Sequence, residues 1–339
     1  MPPSSKRRAD RRVDGGIIDV HSHALLPVWR DALAKATGQS KDNILIAGVL
    51  APAWSVESHL AMMDAHCIAA CALSWPGATS FLKGAAARDL ARAMNEEFAS
   101  IIARHPSRFG AFAVLPLDDM DAAAAEMVYA LDVLKLDGVS SPTNIASIYL
   151  GDAQFDGWFA EMNRRGTTIF VHPTASANSQ QVGLGIHPAI LEYMFDSTRM
   201  ATNMVLSGTK KRFANVRVIC THGGGTIPYL APRISILEPW FGTGPGRSML
   251  SGEEVLEGLS SFYFDLTAST AASSLDAIRH LVPSSRLACG FDYPMMPMGS
   301  LETAKKELES YSGFTDEDHD NVRRATALQL LPRLADRIG

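Results

Sequence analysis

The sequence predicts an α/β protein of about eight strand–helix units, the number found in a (β/α)8, or TIM, barrel. Three observations lead there. Short apolar runs rich in β-branched residues alternate with longer stretches of helical spacing, the pattern of a parallel sheet. Several of those runs stop abruptly at a histidine or an aspartate. No Gly/Ser-rich linker or internal repeat divides the chain, and 339 residues suit one α/β barrel domain over 16–339.

In chain order the predicted strands are GIIDV (16–20), CIAACAL (67–73), GAFAVL (110–115), GVSS (138–141), TIFV (168–171), VRVIC (216–220), FYFD (262–265) and LACG (287–290). Helical spacing fills 85–104, 122–134, 155–165, 188–207 and 273–281. Stretches 43–54 and 241–252 read as insertions over one face of the barrel. An open, doubly wound sheet accommodates the same alternation, so periodicity alone does not choose between the two. No G-x-G-x-x-G follows the first strand and no G-x-x-x-x-G-K-[ST] occurs, which removes the commonest nucleotide-binding readings.

Composition narrows the function classes. With 47% hydrophobic and 20% charged residues the chain has ordinary globular usage. A net charge of −5 offers no field for a phosphate backbone, so no nucleic-acid partner is expected. The one basic cluster, Lys6-Arg7-Arg8 with Arg11-Arg12, lies in a polar start read as a flexible tail over 1–15. That start lacks the apolar stretch of a signal peptide, and no segment reaches the roughly 20 apolar residues of a membrane span. A cytoplasmic protein with no membrane partner is expected. Cys67, Cys71, Cys220 and Cys289 lie in apolar stretches without the spacing of a disulfide framework or zinc knuckle, and are expected to be buried thiols.

The first strand ends in His21-Ser22-His23. Residues two apart on a strand face the same side, so the two imidazoles converge as a chelating pair would. The fifth strand runs into His172, the sixth into His222 and the eighth into Asp292. Each taken alone reads equally well as a hydrogen-bonded strand cap. Four buried polar ends need partners, however, and in a barrel such ends share one mouth, where catalytic groups gather.

The order H-x-H, His, His, Asp at strands one, five, six and eight resembles the amidohydrolase superfamily, specifically its aminocarboxymuconate-semialdehyde decarboxylase branch and, within that, the 6-methylsalicylate decarboxylases. The resemblance runs from Ile17 to about Leu331 and is carried by DVHSH, FVHPT, THGGGTIPYLAPRI and GFDYP, with LPLDDMDAAAAEMVYALDVLKLDGV and YLGD as further matches. It implies a (β/α)8 barrel of the metal-dependent hydrolase type. One divalent metal ion is implied, Zn2+ or Mn2+, held by His21, His23, His172 and Asp292. His222 becomes an acid/base or hydrogen-bond donor beside the metal, and Asp292 also the carrier of a proton to the ring carbon. Arg233 matches an arginine that reaches the substrate carboxylate of a neighbouring subunit, which implies a homodimer or higher homo-oligomer. By its residues alone Arg233 reads as well as a solvated helix position.

Two departures refine the expectation. The family carries a second substrate arginine shortly before a tryptophan that Trp54 matches, whereas this chain reads IAGVLAPA before Trp54. One carboxylate anchor is missing, so a small aromatic monocarboxylate is expected in place of a dicarboxylate, with Trp54 in contact. Binuclear relatives bridge two metals through a lysine at the end of strand four; here SSPTN follows that strand and Lys135 precedes it, so a single metal is implied. The expected activity is non-oxidative decarboxylation of a salicylate-like acid. Hydrolysis of a lactone or amide on the same ligand set is the alternative, and a barrel that has lost its chemistry is the third. Trp75, Met295, Met296 and Met298 are further pocket candidates, although Met-rich loops more often just pack.

Overall fold

The computed structural model describes residues 16–176, 179–241 and 249–339. Eight parallel strands follow one another in sequence order around a single sheet: β1 (Ile17–His23), β2 (Ile68–Ser74), β3 (Phe109–Ala113), β4 (Gly138–Pro142), β5 (Thr168–His172), β6 (Arg217–Cys220), β7 (Tyr263–Asp265) and β8 (Leu287–Ala288). Consecutive order excludes a doubly wound sheet, which reverses at a switch point. The edges meet where Val20 N–H donates to the Cys289 carbonyl (3.0 Å), Asp292 N–H to that of His21 (2.7 Å) and His23 N–H to that of Tyr293 (2.7 Å). The sheet is thereby joined to itself as a TIM barrel.

Both strand faces are buried, and alternation sorts them. Ile18, Val20, Ala70, Ala72, Phe112, Phe170, Ile219, Tyr263 and Ala288 form one interior cluster. Cys71, Leu73, Ala111, Val139, Ile169, Val218 and Phe264 belong to the outer one, shared with the surrounding helices. Ala327, Leu330, Leu331 and Leu334, from helical segments Thr326–Leu330 and Pro332–Ile338, join the interior cluster. Thr168 Oγ1, at the start of β5, donates to the Leu330 carbonyl at 2.7 Å. The C-terminal chain therefore closes the end of the barrel where the strands begin and leaves the opposite end as the mouth.

The outer layer comprises α1 (Pro27–Thr37), α2 (Val56–Ala65), α3 (Gly84–Arg104), α4 (Met120–Asp132), α5 (Asp156–Arg165), α6 (Glu192–Leu206), α7 (Ile227–Phe241), α8 (Gly252–Ser260), α9 (Ala272–Leu281) and α10 (Met298–Ser310). The stretch expected as one helix over 188–207 divides into a turn at Pro188–Ile190 and α6, because Leu191 leaves helical geometry at φ −135°. Stretch 43–54 forms a two-residue-strand hairpin, Leu45–Ile46 against Val49–Leu50. The expected tail and residues 242–248 of the second insertion lie outside the described residues, and α7 already occupies that stretch's first position.

Cys67 corrects one expectation. It is exposed, while Cys71, Cys220 and Cys289 are buried. Strand β2 begins one residue later, and Cys67 sits in the preceding turn at φ 57°. Among the described residues no helix is long and apolar enough to cross a membrane.

Candidate active site and metal centre

Strand alternation by itself would turn His21 and His23 outward, because Ile18 and Val20 face in. A β-bulge reverses this. Asp19 pairs with Cys71 and Ser22 with Leu73, so β1 spends three steps where β2 spends two. Beyond the extra residue the odd positions face the axis, and the His21 ring stands 5.0 Å from the interior Phe170. Asp19 holds the bulge together. Its Oδ1 accepts the N–H groups of His21 (2.9 Å) and Phe291 (3.2 Å), and its Oδ2 accepts the Ser22 hydroxyl (2.6 Å). Burial outweighs these bonds and pushes the Asp19 carboxyl up to about 7.

Three rings are aimed by acceptors for their Nδ1–H. His21 Nδ1 lies 3.0 Å from Asp265 Oδ2, His23 Nδ1 donates to Ser74 Oγ at 3.1 Å, and His172 Nδ1 donates to the Pro173 carbonyl at 2.8 Å. A neutral ring held in this way presents its Nε2 lone pair. His21 Nε2 and His23 Nε2 are 3.3 Å apart, and the His172 ring is 5.2 Å and 5.1 Å from theirs by centroid.

His222 and Asp292 enter by a different device. Both follow their strands at left-handed backbone angles, φ 54° and 55°, which redirect the side chain. The backbone N–H of His222 donates to Asp265 Oδ1 at 3.1 Å. The glycines after it are required: a Cβ on Gly225, at φ 66°, would meet the Met194 carbonyl oxygen at 2.2 Å. Asp292 Oδ1 is buried without a hydrogen-bond partner, 3.1 Å from His23 Nε2 and 3.6 Å from His21 Nε2.

Facing lone pairs and an orphaned carboxylate oxygen repel one another unless a cation stands between them, and this is the donor set of a divalent ion. One donor atom each from His21, His172, His222 and Asp292 lies within 4.8 Å of all the others. His23 joins this set through His21 and Asp292. The group whose donor atoms all lie within 4.8 Å of one another therefore differs from the predicted ligand set at one place: it holds His222, expected beside the metal, and leaves out His23, expected as a ligand.

The electrostatics suit the same ion. Burial would lower the pKa of His21, but the charges of Asp265 and Asp292 outweigh it and raise it. Burial, followed by the neighbouring imidazoles, holds His172 well below its ordinary value and takes His222 down to about 4. Burial pushes the Asp292 carboxyl up, yet His21, His23 and His222 pull it well below the usual carboxylate range.

Residues 18–333 match the amidohydrolase family. The chain belongs to that family. This amidohydrolase is 32% identical over 324 residues to a 6-methylsalicylic acid decarboxylase of Penicillium expansum, covering 94% of this chain and 96% of the relative. Its fold is that of a 5-carboxyvanillate decarboxylase from Sphingomonas paucimobilis, at TM-score 0.81 and 20% identity over 94% and 99% of the two chains. It is also that of a dihydroxybenzoic acid decarboxylase from Polaromonas sp. with bound manganese, at TM-score 0.77 and 18% identity over 94% and 97%. The amidohydrolase is a carboxy-lyase.

The remaining predicted residues lie farther out. Trp54 is half-buried and donates through Nε1 to His59 Nδ1 at 3.1 Å; the His59 ring in turn lies 4.8 Å from that of Tyr293, the neighbour of Asp292, at a 55° tilt. Trp75 is the indole beside the histidines, 5.2 Å from the His23 ring. Met298 is exposed and Met295 packs against the core. Arg233 is exposed on α7. Lys135 is exposed in the turn before β4, where it cannot bridge metals. Sequence reasoning missed Asp265, although a carboxylate ending the apolar run FYFD is the signal that singled out Asp292. It also missed Asp19 and Ser74, whose roles depend on which strands become neighbours.

Proposed function

We propose that this carboxy-lyase removes CO2 from a salicylate-like aromatic acid without redox change, with 6-methylsalicylate to 3-methylphenol as the reaction. The observation that carries this reading is end-to-end similarity to a 6-methylsalicylic acid decarboxylase in a chain whose barrel mouth gathers His21, His172, His222 and Asp292. His21, His23, His172 and Asp292 would hold one divalent ion. The nitrogen-rich set favours zinc, and the manganese of the Polaromonas relative makes that ion the other choice. When bound, the ion supplies a fixed positive charge and Lewis acidity toward an ortho-hydroxy carboxylate.

The protein's own groups do the rest. In the reaction the bond from ring carbon to carboxylate breaks, its electron pair stays on the ring carbon, and a proton takes the place of CO2. Asp292, held ionised at rest by His21, His23 and His222, would take that proton from water and pass it to the ring carbon. His222, kept neutral by burial, hydrogen-bonds the substrate hydroxyl or takes a proton from water. Trp75 walls the His23 side against solvent. The missing arginine before Trp54 limits the substrate to one carboxylate, and Trp54 contributes an apolar contact.

Arg233 of a second copy supplies the carboxylate contact in a homo-oligomer. Supporting this, Tyr229 (80% exposed), Ile236 (65%) and Trp240 (81%) fall on one face of α7 with the exposed Arg233 among them. The reading is tested by incubating metal-replete protein with a panel of salicylates and measuring CO2 and the phenol released. Absence of turnover on every ortho-hydroxy acid defeats it.

A further inference from the structure

Outside the five-group set, α6 buries a carboxylate that the reaction does not use. Asp196 is 1% exposed. Its Oδ1 accepts the Tyr149 hydroxyl at 2.6 Å, and its Oδ2 accepts Asn144 Nδ2 at 3.2 Å, the Thr174 N–H at 3.3 Å and the Thr143 hydroxyl. All four donors are neutral. A buried carboxylate needs such bonds, and an ionised Asp, which only accepts, matches a ring of donors that an Asn amide would oppose.

These bonds converge on the peptide between Pro173 and Thr174. Its carbonyl is the acceptor for His172 Nδ1–H at 2.8 Å, and its N–H is held by Asp196 and by Thr143 Oγ1 (3.3 Å). A trans peptide is planar, with N–H and C=O pointing opposite ways, so fixing one end fixes the other. The strand ladder cannot do this, because β5 ends at His172 and Pro173 has no N–H to pair. Thr143 completes the grip by donating its own N–H to the His172 carbonyl at 3.0 Å.

We propose that Asp196 is a positioning residue for His172: by holding the Thr174 N–H it aims the Pro173 carbonyl at Nδ1, fixing the ring's tautomer and turning Nε2 into the mouth. This deepens the metal-site reading and rests on it only for its consequence in metal affinity.

The test uses the full chain labelled with 15N-histidine and stripped of metal, with the His172 signals assigned by their loss in His172→Gln. Wild type shows an Nδ1–H tautomer at His172. Asp196→Asn and Thr143→Val shift it toward Nε2–H, whereas Thr143→Ser, which keeps the hydroxyl, leaves it in place. In titrations with Mn2+ or Zn2+ the first two variants bind about 10- to 100-fold more weakly, as loss of a group supporting a metal ligand does. Near-ultraviolet circular dichroism monitors folding, and Thr143→Val carries the test should Asp196→Asn not fold. Folded variants with wild-type His172 signals and metal affinities within about twofold overturn the proposal and leave Asp196 a fold clamp. A wild-type protein that binds no divalent ion, while the tautomer shifts as expected, defeats the metal reading and supports the positioning role.

Discussion

Asp265 orients two histidines at once: its Oδ2 stands 3.0 Å from His21 Nδ1 while its Oδ1 accepts the His222 N–H at 3.1 Å. The carboxylate is fully buried, and burial opposes its charge, but His21 and then His222 hold its pKa below the ordinary value. Replacing it by Asn keeps the shape and loses the charge-assisted bond to His21. Asp265→Asn is expected to lower metal affinity or turnover by about 10- to 100-fold with little change in fold, since groups that orient ligands act on that scale. Metal content and kcat together check it; wild-type values for both would show that His21 is aimed without Asp265.

Removal of the metal separates ligands from neighbours. His21→Ala and His172→Ala are expected to lose bound metal and all turnover. His222→Ala is expected to keep the metal and lose most of kcat. Because His222 lies as close to the donor cluster as the ligands do, loss of metal in that variant would make it a ligand. Dialysis against a chelator should abolish wild-type turnover, and one equivalent of divalent ion should restore it.

Gly290, two residues beyond β8, lies against His21. A Cβ there would meet Thr267 Oγ1 at 2.4 Å, the His21 Cβ at 2.8 Å and the Asp265 Cβ at 3.1 Å. The neighbours are short and fixed, so overpacking should destabilise Gly290→Ala by about 1–3 kcal/mol. Turnover should fall further than that, because His21 and Asp265 are both displaced. Denaturant unfolding and steady-state rates measure the two effects. A fully active variant of unchanged stability would mean that the strand can move away.

The exposed face of α7 predicts a shared site. Arg233→Ala should weaken substrate binding by about 2–5 kcal/mol, the range for truncating one partner of a buried charge pair, with metal content unchanged. Mixed with an inactive Asp292→Ala variant under subunit exchange, it should regain activity, because each mixed dimer holds one intact site. No recovery despite verified exchange, or a fully active wild-type monomer in sedimentation, would place Arg233 in its own subunit or on a merely packed surface. Trp240→Glu, at the far end of the same face, should shift the wild type toward monomer.

The sequence by itself determined the repeating unit and the candidates for the site. Short apolar runs alternating with helical spacing give a parallel sheet, and polar residues at the ends of such runs need partners, so His21, His23, His172, His222 and Asp292 stood out as candidates before any geometry. Tertiary structure decided what periodicity could not. Alternation alone points His21 and His23 outward; the bulge that turns them in depends on the register of β1 against β2, which is set by pairing between distant segments. Left-handed angles at His222 and Asp292, which His and Asp reach more readily than most residues, are likewise decided by the surrounding barrel. Asp265, Ser74, Asp19 and Asp196 are ordinary polar residues in sequence. They acquire their roles only when the barrel brings β1 beside β8, β7 beside β6, and α6 across the ends of β4 and β5, where a buried carboxylate or hydroxyl must satisfy whatever donors it meets.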